Sequence, residues 1–166
     1  MIQQRDVLGP QEGEAVKFRG LGVRFLIDGD QTDGRFALVE HPIDPRALAA
    51  PTHTHTHEDE YSFVLEGEVG VRIGDRTMTA GPGDLVFKPR GVPHAFWNAG
   101  DAPARLLEVI SPAGFEDYFR ELAPLLNAGG PPDEEALKEL QGRYGLDMDL
   151  GSAPVLAQEH GLVAAP

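Results

Sequence analysis

From about residue 15 to residue 111, short runs of apolar and β-branched residues are repeatedly cut by glycine, proline and aspartate. Such punctuation leaves space for strands and turns but little for helices. Residues 16–18 and 22–27 read as strands, followed by a turn rich in Asp and Gly from Asp28 to Gly34. Residues 35–41 follow, with an apolar run at 36–39, and Pro42, Pro45 and Pro51 bracket a loop. Residues 60–65 and 69–73 are strands joined by a bend at Gly67, and Gly74-Asp75 is a two-residue hairpin turn leading into 76–80. Residues 85–88, 94–98 and 105–111 complete the set. About eight to ten short strands at regular spacing define an all-β sandwich or barrel. The 20 glycines and 14 prolines among 166 residues suit that many turns.

After Pro112 the period changes. Phe115, Phe119, Leu122 and Leu126 recur at three- and four-residue steps, which predicts an amphipathic helix. Gly129-Gly130 breaks it, Pro131-Pro132-Asp133 starts a second helix, and Leu137, Leu140 and Tyr144 form that helix's apolar stripe, with Gly145 placed to cap it. Residues 146–166 read either as an ordered extension or as a loose tail. No internal repeat is visible. The expectation is one domain over 1–166, with a barrel at about 15–111 and a helical C-terminal extension at about 112–166.

A net charge of −13 with no offsetting basic cluster argues against nucleic acid and against an anionic membrane surface. The absence of cysteine removes disulfides and thiolate chemistry. The stretch Met1 to Pro10 is polar, unlike a signal peptide, and no apolar run approaches the ~18 residues that span a bilayer. These features predict a cytoplasmic protein.

Of the six histidines, His53, His55 and His57 lie within five residues. Alternation along a strand turns His53 and His55 to one face, and Glu60 lies just beyond, so the three groups form a partial cage. Imidazole suits Zn, Fe, Ni and Cu, and a carboxylate extends the range to Mn. On the residues alone, a metal cage and a loop of solvated histidines stand about level.

The run from Pro51 to Gly67 contains His53-Thr-His55, four residues, Glu60, six residues and Gly67. The run from Gly83 to Asn98 contains Gly83, five residues, Pro89, Arg90, Gly91, two residues, His94, three residues and Asn98. The two runs resemble the two signature motifs of the cupin superfamily at every fixed position, with fifteen residues between Gly67 and Gly83. The resemblance covers residues 15–111 well and the C-terminal part loosely. It implies an antiparallel β-barrel of the double-stranded β-helix or jelly-roll type. It also implies a divalent transition metal ion (Fe, Ni, Mn, Co, Cu or Zn) on His53, His55, Glu60 and His94. Three nitrogens and one oxygen leave coordination positions open, as catalytic sites do. His57 could pair with His55 as an alternative H-x-H, but family spacing favours His53/His55. His57 is then solvent-facing or a neighbour of the site.

Alternation places His94, Phe96 and Asn98 on one face of their strand, with Ala95 and Trp97 on the other. Ser62 and Val64 share a face with Glu60 and are candidates to line the cavity. Phe36, Leu38, Phe87 and Phe96 form either a pocket wall or plain barrel core. His41 is expected to be exposed or at a strand end, not a ligand, and His160 is given no role.

The resemblance extends to bacterial single-cupin proteins similar to quercetin 2,3-dioxygenase. It implies a dioxygenase acting on a flavonol-like, phenolic or enolic small molecule, with Glu60 as catalytic base. A non-redox isomerase, cyclase or lyase using the same metal, and a non-catalytic binder, stand as alternatives. A homodimer is implied, since many cupins pair. The C-terminal helices either pack outside the barrel or cover its mouth.

Overall fold

A computed structural model describes residues 7–163. Residues 1–6, part of the polar stretch Met1 to Pro10, and residues 164–166 lie outside the described residues. Eleven strands and three helices follow in order. These are β1 (Ala15–Phe18), β2 (Leu21–Ile27), β3 (Ala37–Ile43), β4 (Leu48–His55), β5 (Asp59–Glu66), β6 (Val69–Ile73), β7 (Arg76–Ala80), β8 (Leu85–Lys88), β9 (His94–Asn98) and β10 (Ala104–Ser111). Then come α1 (Glu116–Leu126), α2 (Glu134–Arg143), β11 (Leu146–Met148) and α3 (Ser152–His160). The strands form a six-stranded sheet ordered β1-β2-β3-β10-β5-β8 and a five-stranded sheet ordered β11-β4-β9-β6-β7, all pairings antiparallel.

The inner faces follow two-residue alternation. In β10 Ala104, Leu106, Glu108 and Ile110 are buried while Arg105, Leu107, Val109 and Ser111 are half-buried. In β3 Ala37, Val39, His41 and Ile43 point in. Tight turns carry the chain between strands. Gly67 has φ +80°, and a Cβ there would sit 2.7 Å from Ala104, so this bend requires glycine. At Gly70 a Cβ would overlap the Trp97 ring at 2.0 Å, which lets β6 lie flat beneath that indole.

Strand β9 is buried on both faces. Phe96 joins the barrel core, while Ala95 and Trp97 pack outward against Leu156 and Leu162 from the C-terminal segment. His160 stacks on Trp97 with ring centroids 4.2 Å apart, and Arg72 anchors Glu159 at 2.7 Å. Residues 146–163 are therefore an ordered extension: β11 adds an edge strand to β4 and α3 covers the second sheet. His160, given no role from sequence, is part of that contact.

The segment bracketed by Pro42, Pro45 and Pro51 is not a loop throughout, because β4 runs through Pro51. Proline lacks the N–H a ladder needs. Here it falls where the β4–β9 register slips between Ala50 and His53, so no ladder bond is forfeited. The turn at Asp28–Gly34 holds a short 3-10 segment, Gly29–Thr32. Among the described residues no helix is long and apolar enough to cross a membrane.

Candidate metal centre

His53 and His55 lie on the inward face of β4, Glu60 is the second residue of β5, and His94 opens β9 directly across from His53. Two contacts lock these segments together. Asp59 accepts bonds from the Arg90 backbone N–H (2.9 Å) and guanidinium (3.1 and 2.8 Å), and Gly91 N–H donates to the His55 carbonyl at 2.8 Å. The turn before His94 is thus clamped to the turn before Glu60.

The four side chains are buried, and one ligand atom from each lies within 4.8 Å of all the others. Each imidazole is held from behind through Nδ1. His53 Nδ1 donates to the Pro51 carbonyl (2.7 Å), His94 Nδ1 to the Val92 carbonyl (3.1 Å), and His55 Nδ1 faces the Glu58 carboxylate (3.3 Å). A carbonyl only accepts, so the proton of a neutral ring sits on Nδ1 and the Nε2 lone pair faces the centre. His55 Nε2 and His94 Nε2 are buried without a hydrogen-bond partner. They stand 3.4 Å from Glu60 Oε1 and 3.3 Å from Glu60 Oε2. Buried polar atoms left orphaned around a common point fit a divalent ion bound by three imidazole nitrogens and a carboxylate.

Electrostatics favour the ligand states of His53 and Glu60, while His55 is drawn towards its charged form by its carboxylate neighbours. Burial, reinforced by His94 and His55, holds His53 well below the usual histidine range, hence neutral. Burial pushes His55 down, but the Glu60 charge and the Glu58 bond outweigh it and raise it. Burial raises Glu60, yet Lys88, His55 and His94 outweigh burial and keep it well below the usual carboxylate range.

Behind Glu60 lies a buried polar row. Lys88 Nζ is 2.8 Å from Glu60 Oε2 and 2.6 Å from Glu108 Oε2. Ser62 Oγ donates to Glu108 Oε2 at 2.5 Å, and His41 Nε2 lies 3.2 Å from Glu108 Oε1. Burial opposes both charges, but the pairing leaves Lys88 raised to about 12 and Glu108 lowered to about 2. His41, expected to be exposed or at a strand end, is instead fully buried on the inner face of β3, its Nδ1 donating to the Gly22 carbonyl at 3.1 Å. Lys88, Glu108 and Glu58 escape detection from sequence. The available signal was strand pairing, since Lys88 lies directly opposite Glu60 and Glu108 opposite Ser62.

A cavity of about 470 Å³ opens on His53, His55 and Glu60 and continues under the helices. Its walls are mostly apolar: Leu48 and Phe96 from the barrel, Phe115, Tyr118, Phe119 and Leu122 around α1, Leu137 from α2, and Leu146 and Met148 from β11. The C-terminal elements therefore cover the barrel mouth.

Of the other residues singled out from sequence, Phe96 lines this cavity. Ser62 lies behind the site, on Glu108, rather than on the cavity wall. Phe36 and Leu38 are half-buried and line no part of it, Phe36 preceding β3 and Leu38 pointing away from its inner face. Phe87 is 47% exposed and stacks outside on Tyr61, because its neighbour Lys88 takes the inward position. The Asn98 amide donates to the carbonyls of Ile43, Asp44 and Ala102 and accepts from Gly100 N–H, so it closes turns instead of meeting a ligand. His57 is exposed and lies beside Gly145, outside the set of four.

The fold and site define a small β-barrel protein whose interior could hold a metal ion. A family described as Cupin domain matches residues 40–110. The polyketide cyclase RemF from Streptomyces resistomycificus is 33% identical, aligned over 65% of this chain and 80% of its own, with a TM-score of 0.55. The tetracenomycin polyketide synthase protein TcmJ from Streptomyces glaucescens is 33% identical over 60 residues, 36% of this chain, and the match spans 40% of TcmJ's length. A cupin sugar phosphate isomerase from Silicibacter pomeroyi is 26% identical over 63% of this chain and 74% of its own, with a TM-score of 0.55. The chain belongs to the cupin superfamily.

Proposed function

We propose that this protein is a metal-dependent enzyme acting on a flat, largely apolar phenolic or enolic molecule of polyketide type, by non-redox cyclase or isomerase chemistry. The observation that carries the reading is the apolar cavity of about 470 Å³ ending on three histidines and Glu60. That volume suits a small organic ligand, and the few polar groups at one end would fix its orientation. The similarity to RemF and TcmJ, both connected with polyketides, supports the substrate class.

His53, His55, Glu60 and His94 would hold the ion, which supplies Lewis-acid polarisation of a substrate oxygen. The chain's own residues do the remainder. Phe96, Phe115 and Phe119 pack against the ring system and keep water out. Glu60, held low by Lys88 and its histidine neighbours, is ionised and a weak base. This weighs against its expected role in proton removal.

The dioxygenase expected from sequence is kept as a second reading, favoured by a mixed N/O donor set that also suits redox-active Fe, Cu, Mn and Ni. Metal-loaded protein incubated with partially cyclised aromatic polyketides and with flavonols, under air and without oxygen, separates the readings. Product formed equally under both atmospheres supports non-redox chemistry. Turnover that requires stoichiometric oxygen uptake supports the dioxygenase. Saturable binding with no product from any substrate contradicts both enzyme readings and favours a binding protein.

We also propose that the chain forms a homodimer through the outer face of β5 and β8. There Phe63 (42% exposed) lies opposite Leu85 (60%) and the exposed Phe87 stacks on Tyr61, making one apolar patch.

A further inference from the structure

Lys88 is 1% exposed, on the inner face of β8 directly across from Glu60. A lysine is almost never buried to this degree unless paired. Leucine or methionine would fill the position at lower desolvation cost if volume were the only requirement. Lys88 is instead held by its surroundings. Its ammonium lies 2.6 Å from Glu108 Oε2 and 4.6 Å from the centre of the Phe96 ring. Glu108 is in turn held by the Ser62 hydroxyl and by His41, and His41 donates to the Gly22 backbone. These side chains come from β8, β5, β10 and β3, four adjacent strands, so the ammonium is tied to the sheet and not to a mobile loop.

At its other end the ammonium reaches Glu60 Oε2 at 2.8 Å. The same carboxylate presents Oε1 towards His55 and Oε2 towards His94. A glutamate free to rotate could offer one oxygen, both, or neither. Glu60 Oε2 has no hydrogen-bond partner, so the neighbouring Lys88 charge is what biases the rotation of this carboxylate.

We propose that Lys88, anchored by Glu108, is a positioning residue that fixes the rotation of the Glu60 carboxylate, so that a bound ion meets one defined oxygen and Glu60 does not swing away. This rests on the reading of His53, His55, Glu60 and His94 as metal ligands. Conserving ligand orientation through outer contacts typically accounts for about 10–100-fold in metal affinity.

The test uses the full chain as wild type, Lys88→Met/Glu108→Gln and Glu108→Gln. The double variant removes one buried cation and one buried anion together, so no new net charge is left inside. The probe is Co(II), read by visible absorption and by chelator competition, with circular dichroism as the folding control. The expected result for the folded double variant is Co(II) binding about tenfold or more weaker, with a changed absorption band as Glu60 alters its mode. Glu108→Gln keeps the ammonium but loosens its anchor. It is expected to shift both readouts the same way by less, and it decides the question if the double variant does not fold. Wild-type affinity and a superposable Co(II) spectrum in the folded variants overturn the proposal. No Co(II) complex in the wild-type protein overturns the metal reading itself, and this role with it.

Discussion

His53, His55 and His94 are presented to one point because the chain ties each of them at Nδ1, two to carbonyls two residues earlier and one to Glu58. The ligand types and spacing were legible in the sequence, since both signature runs match at every fixed position. The polar row behind them was not. A rule that sends apolar residues inward turns Leu85 and Phe87 into the barrel and Lys88 out. The structure does the reverse, because Lys88 hydrogen-bonds buried Glu108 and pairs its charge with buried Glu60. The row carries a pH prediction. Glu108 is lowered to about 2 from 4.5, so its contribution to stability is present above about 4.5 and lost as pH falls towards 2. Glu60, also lowered, acts in the same direction. His53 is lowered from 6.5, so the unfolded chain takes up a proton that the native site refuses, and stability already declines as pH falls below 6.5. Thermal melts of metal-free protein should fall steadily through this range. Glu108→Gln should flatten the segment between pH 4.5 and 2. An unchanged slope in that variant contradicts the assignment. Asn98→Ala should destabilise by about 2–4 kcal/mol by denaturant titration, since several backbone groups lose a buried partner.

Strands set off by clear turn residues at Gly67, Gly74-Asp75, Gly81–Gly83 and Pro89–Pro93, as β6 to β9 are, have the bounds read from sequence. Strand β4 was missed upstream of His53 because Pro51 is normally a strand breaker, and only the register slip opposite β9 shows how it is tolerated. The helix α3 is not legible in the sequence because its segment is short and rich in Ala and Pro, without a clear stripe. Its partner surface, Trp97 and Ala95, is visible only once β9 is seen to be buried on both faces. Leu156, fully buried between them, is the sensitive position: Leu156→Ala should cost about 2–5 kcal/mol in denaturant titration. A loss below about 0.5 kcal/mol, the range of surface substitutions, would contradict this account of the extension. Removing residues 112–166 strips β11 from β4 and exposes the barrel mouth. Such a truncated chain should aggregate or melt lower, and one that stays monodisperse with unchanged melting would count against a structural role for the helices.

The whole-molecule architecture was legible from two motifs and a rhythm of turns, because barrel closure and ligand placement depend on the same spacing. The cavity was not, because its far walls come from α1, α2 and β11, whose approach to the barrel depends on tertiary packing. The reaction was not legible either, since one fold and one donor set serve many chemistries. Light scattering tests the assembly: a dimer that Phe63→Glu/Leu85→Glu converts to monomer is expected, and a wild-type monomer at every concentration contradicts it. The central claim, that the four converging side chains hold a metal ion, is met most directly by elemental analysis. Wild-type protein and His94→Ala would be purified without a histidine tag, reconstituted with divalent ions and analysed by mass spectrometry, with circular dichroism confirming the fold. The account predicts near-stoichiometric metal in the wild type and a large loss in the variant. Substoichiometric metal in the wild type, unaffected by the substitution, would contradict it.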